Sequence, residues 1–175
     1  ETLGIGHRAA RLTFTARAAM TVCGSEEAVR LFKLAGADAQ VIQASGTTVA
    51  AGALLLEASG SAAALHTAWK VAQILVEATS GIASSAYAMV STLRAAGFTI
   101  PLACTRKNFP GTKALASKAV KAGGATLHRL GLSETVLLFP EHLMFVDQSA
   151  AQTIDAMRRQ LPEKKIVVEV KNEAS

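Results

Sequence analysis

Aromatic residues make up 5% of this chain and charged residues 18%. With so few rings to stack on bases, and no RNP-like, zinc-finger or helix-turn-helix pattern, nucleic acid is excluded as the expected partner. No apolar run approaches the eighteen or so residues that cross a bilayer, so no membrane association is expected. Cysteine is limited to Cys23 and Cys104. Each sits inside an apolar run, which predicts reduced, buried thiols in a cytoplasmic protein rather than a disulfide framework. The histidines, His7, His66, His128 and His142, are scattered without zinc spacing, and no metal site is expected from them. Residues Glu1 to Gly6 have neither the basic start nor the apolar core of a signal peptide. They do not begin with Met, so further residues are expected in front of them.

What is present is 175 residues, half of them hydrophobic, with a net charge of +5. That length suits one domain or one and a half, with a substantial core. The cations concentrate around two blocks. The first is Thr105-Arg106-Lys107-Asn108-Phe109-Pro110-Gly111-Thr112-Lys113, and the second is His128-Arg129-Leu130-Gly131-Leu132-Ser133. Ile100 to Cys104 reads as a short buried strand, with Arg106 and Lys107 just past its carboxyl end. Pro110 and Gly111 then open a helix that Gly123-Gly124 closes. His128-Arg129 precedes the next apolar run, Thr135 to Phe139. Strand, helix and strand in this order imply a right-handed crossover with parallel strands, and ligands of such sheets bind where loops leave the strands' carboxyl ends. A lone Lys there reads most simply as a solvated loop residue. An Arg-Lys pair with His-Arg nearby points instead to an anionic ligand, because guanidinium offers carboxylate or phosphate two parallel charge-assisted bonds. A small polyanion fits these local clusters better than a polymer.

The rest of the chain reads as scaffold. Leu12 to Arg17 alternates at period two, a half-buried strand. Met20 to Gly24 predicts a second, after which Ser25 caps a helix with Glu26 and Glu27 in its first turn, ended at Gly36. The glycine rhythm over residues 41–58 resembles half of a biotinyl-type sandwich, but no modifiable Lys stands in it, so it is architectural. Ser61 starts a helix that Thr79-Ser80-Gly81 is expected to interrupt. A second helix, Ile82 to Ala96, comes next, and its small residues predict close burial. Ser149 to Gln152 is a capping box opening a helix that Pro162 stops, and Ile166 to Val170 is a further strand.

The two cationic blocks, together with Ser80-Gly81-Ile82-Ala83, resemble the quinolinate phosphoribosyltransferase (nicotinate-nucleotide pyrophosphorylase) family over about residues 8–171. The wording Arg-Lys-Asn-Phe-Pro-Gly-Thr-Lys and Leu-Ser-Glu-Thr-Val-Leu-Leu-Phe is closer to the family's ModD branch, the paralogues associated with molybdenum-transport genes. The resemblance implies an α/β protein. Residues 1–97 would form an N-terminal α/β sandwich with connecting helices, and residues 98–175 the first half of an open six-stranded α/β barrel. Its three strands cannot close such a barrel, so the rest is expected outside these residues. The implied reaction moves 5-phosphoribosyl from phosphoribosyl pyrophosphate to a ring nitrogen of a pyridine carboxylate, with Mg²⁺ bound to the pyrophosphate. In quinolinate enzymes, a decarboxylation completes the reaction.

Carried over position by position, the resemblance implies that Arg106 and Arg129 hold acceptor carboxylates, with His128 beside them. Lys107 would meet phosphoribosyl pyrophosphate, and Glu169 the ribose or its metal, these two being the implied catalytic residues. Lys70 stands where the family places a substrate-binding Arg and would reach the site of a partner subunit in a homodimer. Phe139 replaces a substrate-side Lys, in Phe139-Pro140-Glu141-His142 where quinolinate enzymes have Lys-Asp-Asn-His. These two departures weaken the case for a dicarboxylate acceptor. The alternative is a ModD-type protein with a non-enzymatic or different-substrate role linked to molybdate transport.

Overall fold

In the computed structural model, which describes residues 3–170, the chain divides into two compact units, Glu1–His128 and Arg129–Ser175. The first contains β1 (Ala9–Thr15), β2 (Met20–Thr21), α1 (Ser25–Leu34), β3 (Asp38–Val41), β4 (Thr48–Val49), β5 (Leu54–Ser61) and α2 (Ala62–Ala95), then β6 (Ala103–Cys104), α3 (Lys113–Ala122) and β7 (Thr126–Leu127). The second contains β8 (Thr135–Leu138), α4 (Pro140–Leu143), α5 (Ala150–Gln160) and β9 (Lys165–Val168). The fold is mixed α/β, as the sequence predicts.

β5 is the middle strand of an antiparallel sheet ordered β1-β5-β3. Period-two alternation in β1 leaves Arg11, Thr13 and Thr15 exposed, while Leu12 and Phe14 pack inward. Phe14 meets Phe32 of α1 edge to face, with ring centroids 5.9 Å apart. Ala28, Val29 and Phe32 form the buried face of α1. The N-cap of α1 is Gly24, not Ser25, and it adopts φ 88°. A side chain at Gly24 would also meet Leu75 and the Thr79 hydroxyl at 2.6 Å. Ser25 is instead buried, and its hydroxyl donates to Gln43 O at 2.8 Å.

α2 corrects a second expectation. It runs unbroken for 34 residues through Thr79-Ser80-Gly81. Hydroxyls in a helix usually compete with its backbone bonds, but here they also reach groups outside the helix. Thr79 Oγ1 lies 2.7 Å from Leu75 O in its own helix and 2.7 Å from Cys23 O. Ser80 Oγ accepts the Cys23 amide at 2.9 Å, and Ser84 Oγ the Thr21 amide at 2.9 Å. Ser61 caps the start of α2, accepting from the Ala64 amide. The expected burial of residues 82–96 holds on one face only: Ala83 and Ala86 are buried, whereas Ile82, Tyr87 and Met89 are exposed. On the buried face, Gly123, the C-cap of α3, lies so close that a Cβ would stand 2.3 Å from Ala83 O.

The segment expected as a buried strand over 100–104 pairs only through Ala103 and Cys104, and Ile100 is 60% exposed. Cys23 is fully buried, which pushes its thiol pKa up, whereas Cys104 is half-buried; both are free. The crossover also differs from expectation. β6 pairs in parallel with β7, a strand of two residues too short to stand out as an apolar run. The unit is therefore β6-α3-β7, and β8 belongs to a separate parallel ladder with β9. α5 begins at the predicted capping box, with Ser149 Oγ accepting from the Gln152 amide and Gln152 Oε1 from the Ser149 amide.

An ion cluster holds α3 to α1. Lys118 Nζ lies 2.9 Å from Glu26 Oε2 and 2.7 Å from Glu27 Oε1. Ser45 donates its amide and its hydroxyl to the Glu26 carboxylate. Burial pushes the Glu26 carboxyl up, but the Ser45 donors and Lys118 outweigh it and hold the pKa down at about 2. Burial likewise pulls Lys118 down, and the Glu27 and Glu26 carboxylates outweigh it, leaving a raised pKa.

The close approach of α3 to α2 is open to a direct test. Gly123→Ala should lower unfolding free energy by about 1–3 kcal/mol, since backbone must move to admit the methyl. Gly81→Ala, with nothing within 4 Å of the added Cβ, should raise it by about 0.5–1 kcal/mol. Urea midpoints read both, and equal signs would contradict the close approach. For the ion cluster, a depressed carboxyl stabilises above its ordinary value of 4.5 and loses that contribution as pH falls through about 2. A raised ammonium contributes below its ordinary 10.5 and loses it as pH rises through the folded value. Lys118→Met should thus cost about 1–2 kcal/mol near neutral pH, and Glu26→Gln should flatten the acid limb of the stability curve below pH 4.5.

Candidate functional site

Arg106 and Lys107 come after β6, and His128 after β7, at the carboxyl ends of neighbouring parallel strands. The His128 amide extends the ladder by donating to Cys104 O at 2.9 Å. Beyond β6 the chain folds on itself. The Asn108 amide donates to Arg106 O at 2.9 Å, and Thr112 Oγ1 to Phe109 O at 2.7 Å. Gly111 takes φ 81° in the turn before α3. These bonds fix the loop backbone without using the side chains of Arg106 and Lys107. Arg106 and Lys107 are exposed, and neither side chain has a hydrogen-bond or ion-pair partner among the described residues. His128 is half-buried, and its ring is likewise unpartnered among them.

In the second unit, Phe139 and Glu169 stand past the carboxyl ends of β8 and β9. The Glu169 amide donates to Leu138 O at 2.9 Å, while its carboxylate is exposed and has no partner among the described residues. Phe139 caps α4; its amide donates to His142 Nδ1 at 3.0 Å, and the two rings sit 5.5 Å apart. Arg129 is half-buried at the other end of β8, with Nη1 donating to Thr135 O at 2.9 Å.

Lys70 lies elsewhere in the first unit, on the exposed face of α2. Its ammonium sits 4.2 Å from the Trp69 ring centroid and donates to Gln73 Oε1 at 3.2 Å. It lines a cavity of about 540 Å³ between β1 and α2 whose other walls include Phe14, Arg17, Met20, Trp69 and Glu77. Arg106, Lys107 and His128 do not line it. Sequence reasoning missed this cavity; the one signal for it is Trp69, a large ring beside a cation on a partly exposed helix face. Among the described residues, no three His, Cys, Asp or Glu side chains gather as a metal site.

Residues 1–80 match the family described as quinolinate phosphoribosyl transferase, N-terminal domain, and residues 82–175 match its C-terminal domain. The chain belongs to the quinolinate phosphoribosyl transferase family. Among its relatives is a candidate pyrophosphorylase called ModD from Rhodobacter capsulatus, 52% identical over 172 residues, covering 97% of this chain and 66% of that protein. The nicotinate-nucleotide pyrophosphorylase (carboxylating) of Mycobacterium leprae is 37% identical over 125 residues, covering 71% of this chain and 43% of that one. NadC from Streptococcus pyogenes superposes with a TM-score of 0.85 at 29% identity, covering 99% of this chain and 62% of the streptococcal chain. This member of the family thus spans about two thirds or less of the length of the proteins it matches.

Because Arg106 and Lys107 have no partner among the described residues, Arg106→Ala and Lys107→Ala should change unfolding free energy by no more than about 0.5 kcal/mol. Thermal denaturation monitored by circular dichroism reads this, and a loss above about 2 kcal/mol would mark them as structural cations.

Proposed function

We propose that the protein containing this chain is a phosphoribosyltransferase, moving 5-phosphoribosyl from phosphoribosyl pyrophosphate to a ring nitrogen of a nitrogen-base carboxylate. The observation that carries this reading is the set of groups at the carboxyl ends of paired parallel strands with no partner among the described residues: Arg106, Lys107 and His128 on one ladder, Glu169 on the other. In the reaction, the bond from C1 of the ribose to pyrophosphate breaks and a bond from C1 to the ring nitrogen forms. Pyrophosphate leaves with the electron pair. By the family resemblance, Arg106, His128 and Arg129 are each assigned to the acceptor's carboxylates, and Lys107 to phosphate oxygens. Each charge-assisted bond contributes about 1.5–3 kcal/mol. Cations fixed in advance also stabilise the charge gathering on the leaving group. Magnesium bound with phosphoribosyl pyrophosphate would neutralise charge on its oxygens, and Glu169 is the residue here that would help to hold it. The exposed Glu169 carboxylate, without a partner among the described residues, suits such an ion, which characteristically takes one or two carboxylates plus substrate phosphates.

The same reading takes residues 1–97 as the N-terminal domain and 98–175 as the opening half of an α/β barrel in a cytoplasmic homodimer. Lys70, exposed at its cavity, would serve the partner subunit's site. A second reading has its own support in the 52% identity with ModD and in Phe139. It gives the same cations a different substrate, or a binding role towards molybdate, a dianion of suitable charge.

Pyrophosphate release by the full-length protein, assayed against a panel of nitrogen-base carboxylates, separates the two. Release that requires an acceptor supports transfer; molybdate binding without release with any acceptor supports the second reading. If Phe139 sets acceptor choice, Phe139→Lys should strengthen quinolinate binding by about 1.5–3 kcal/mol, roughly ten- to a hundredfold. Isothermal titration decides this, and a wild type binding quinolinate as well as Phe139→Lys would rule it out.

A further inference from the structure

We propose that Lys164 and Glu134 are positioning residues for Arg129, tying down the loop that joins it to β8. The inference rests on the reading of Arg129 as a carboxylate-binding group. The loop of residues 130–134 has little to anchor it by burial: Leu130 is 46% and Leu132 75% exposed. Polar bonds hold it instead. Arg129 Nη1 donates to Thr135 O at 2.9 Å, and the Leu130 amide donates to Glu134 Oε2 at 2.8 Å. Lys164 Nζ reaches from the residue before β9 to Ser133 O at 2.6 Å. The Lys164 backbone is itself fixed in the turn after α5, its amide donating to Leu161 O at 3.0 Å.

These bonds divide the work. Glu134 folds the loop onto its own beginning, closing it around the residue after Arg129. Lys164 fastens Ser133, near the loop's far end, to the residue just before the neighbouring strand, so the loop cannot swing as a flap. A guanidinium carries five N–H donors, and the Thr135 carbonyl engages Nη1 alone. The remaining edge is thereby oriented, before any ligand arrives, for the two-point grip that carboxylate takes. Holding that edge in advance removes an ordering cost from binding. Both tethers are exposed and add little to global stability, so their loss should appear in ligand geometry rather than in the fold.

The test uses the full-length protein with Lys164→Met and Glu134→Ala, each paired with a conservative variant that keeps the bond, Lys164→Arg and Glu134→Gln. Steady-state kinetics should show KM for the acceptor carboxylate rising roughly tenfold in the first pair, the scale of a misplaced binding group. KM for phosphoribosyl pyrophosphate and the thermal midpoint should stay at wild-type values, and the conservative variants should restore acceptor KM. Hydrogen exchange gives a second readout. Lys164→Met touches only Ser133, yet it should speed exchange of the Leu130 amide as well. Unchanged acceptor KM in both disruptive variants, or no rescue by Lys164→Arg, overturns the proposal. If wild type releases no pyrophosphate with any acceptor, the transferase reading fails by itself. Exchange at Leu130 then judges the tether: faster in Lys164→Met supports it, and unchanged overturns it.

Discussion

The first unit depends on a match between one helix and one strand. Ser80 and Ser84, a turn apart on α2, accept the amides of Cys23 and Thr21, two residues apart at the end of β2. Four helical residues rise about 6 Å and two strand residues about 6.6 Å, so the hydroxyl spacing serves as a ladder partner for an edge with no strand beside it. β4 closes the opposite edge of β2. Without these hydroxyls the buried Cys23 and Thr21 amides would each cost on the order of 1–3 kcal/mol. The same turn of α2 sets the start of α1, because Leu75 and Thr79 crowd Gly24. One short stretch of one helix thus registers both β2 and α1.

The next turns of α2 register the β6-α3-β7 unit. Ala83 and Ala86 leave room for the Gly123 backbone, so the end of α3 is fixed where β7 must begin. Lys118 fixes the other side of α3, holding it against Glu26 and Glu27 at the start of α1. With α3 held at two places, β6 and β7 have little freedom in register. Arg106, Lys107 and His128 inherit their positions at the strand ends from that packing. The helix thus connects the scaffold to the candidate chemistry without contributing a side chain to those strand ends.

Much of this was legible in the sequence, for identifiable reasons. Alternation exposes β1, a reciprocal Ser and Gln mark the start of α5, and paired glycines mark the end of α3; each signal is local, and each held. What sequence reasoning missed depends on partners far along the chain. Thr79-Ser80-Gly81 looks like a break because hydroxyls and glycine weaken an isolated helix. It continues because Cys23, more than fifty residues earlier, accepts from the Thr79 hydroxyl and donates its amide to that of Ser80. Ser25 looks like a cap because capping chemistry is local, whereas its actual acceptor, Gln43, lies in a later loop. β7 escaped because two residues give no periodicity to read.

The cations show the same distinction in chemical form. By residue type Lys118 and Lys107 are alike, and in the sequence only the place of Lys107, beside Arg106 past a strand end, sets it apart. In the fold, Lys118 is saturated, with carboxylate oxygens of Glu26 and Glu27 taking its donors. Lys107 and Arg106 have no such acceptors among the described residues. A saturated ammonium has its donors committed and contributes to stability; an exposed, unpartnered pair keeps its donors in water, ready to exchange them for a ligand's oxygens. Arg129 falls between the two, one donor anchored on Thr135 and the rest without an acceptor among the described residues. The separation of structural from ligand-binding charge is therefore a matter of where the acceptors lie. Sequence spacing identifies where cations gather, and only the folded chain shows which of them remain available to a substrate.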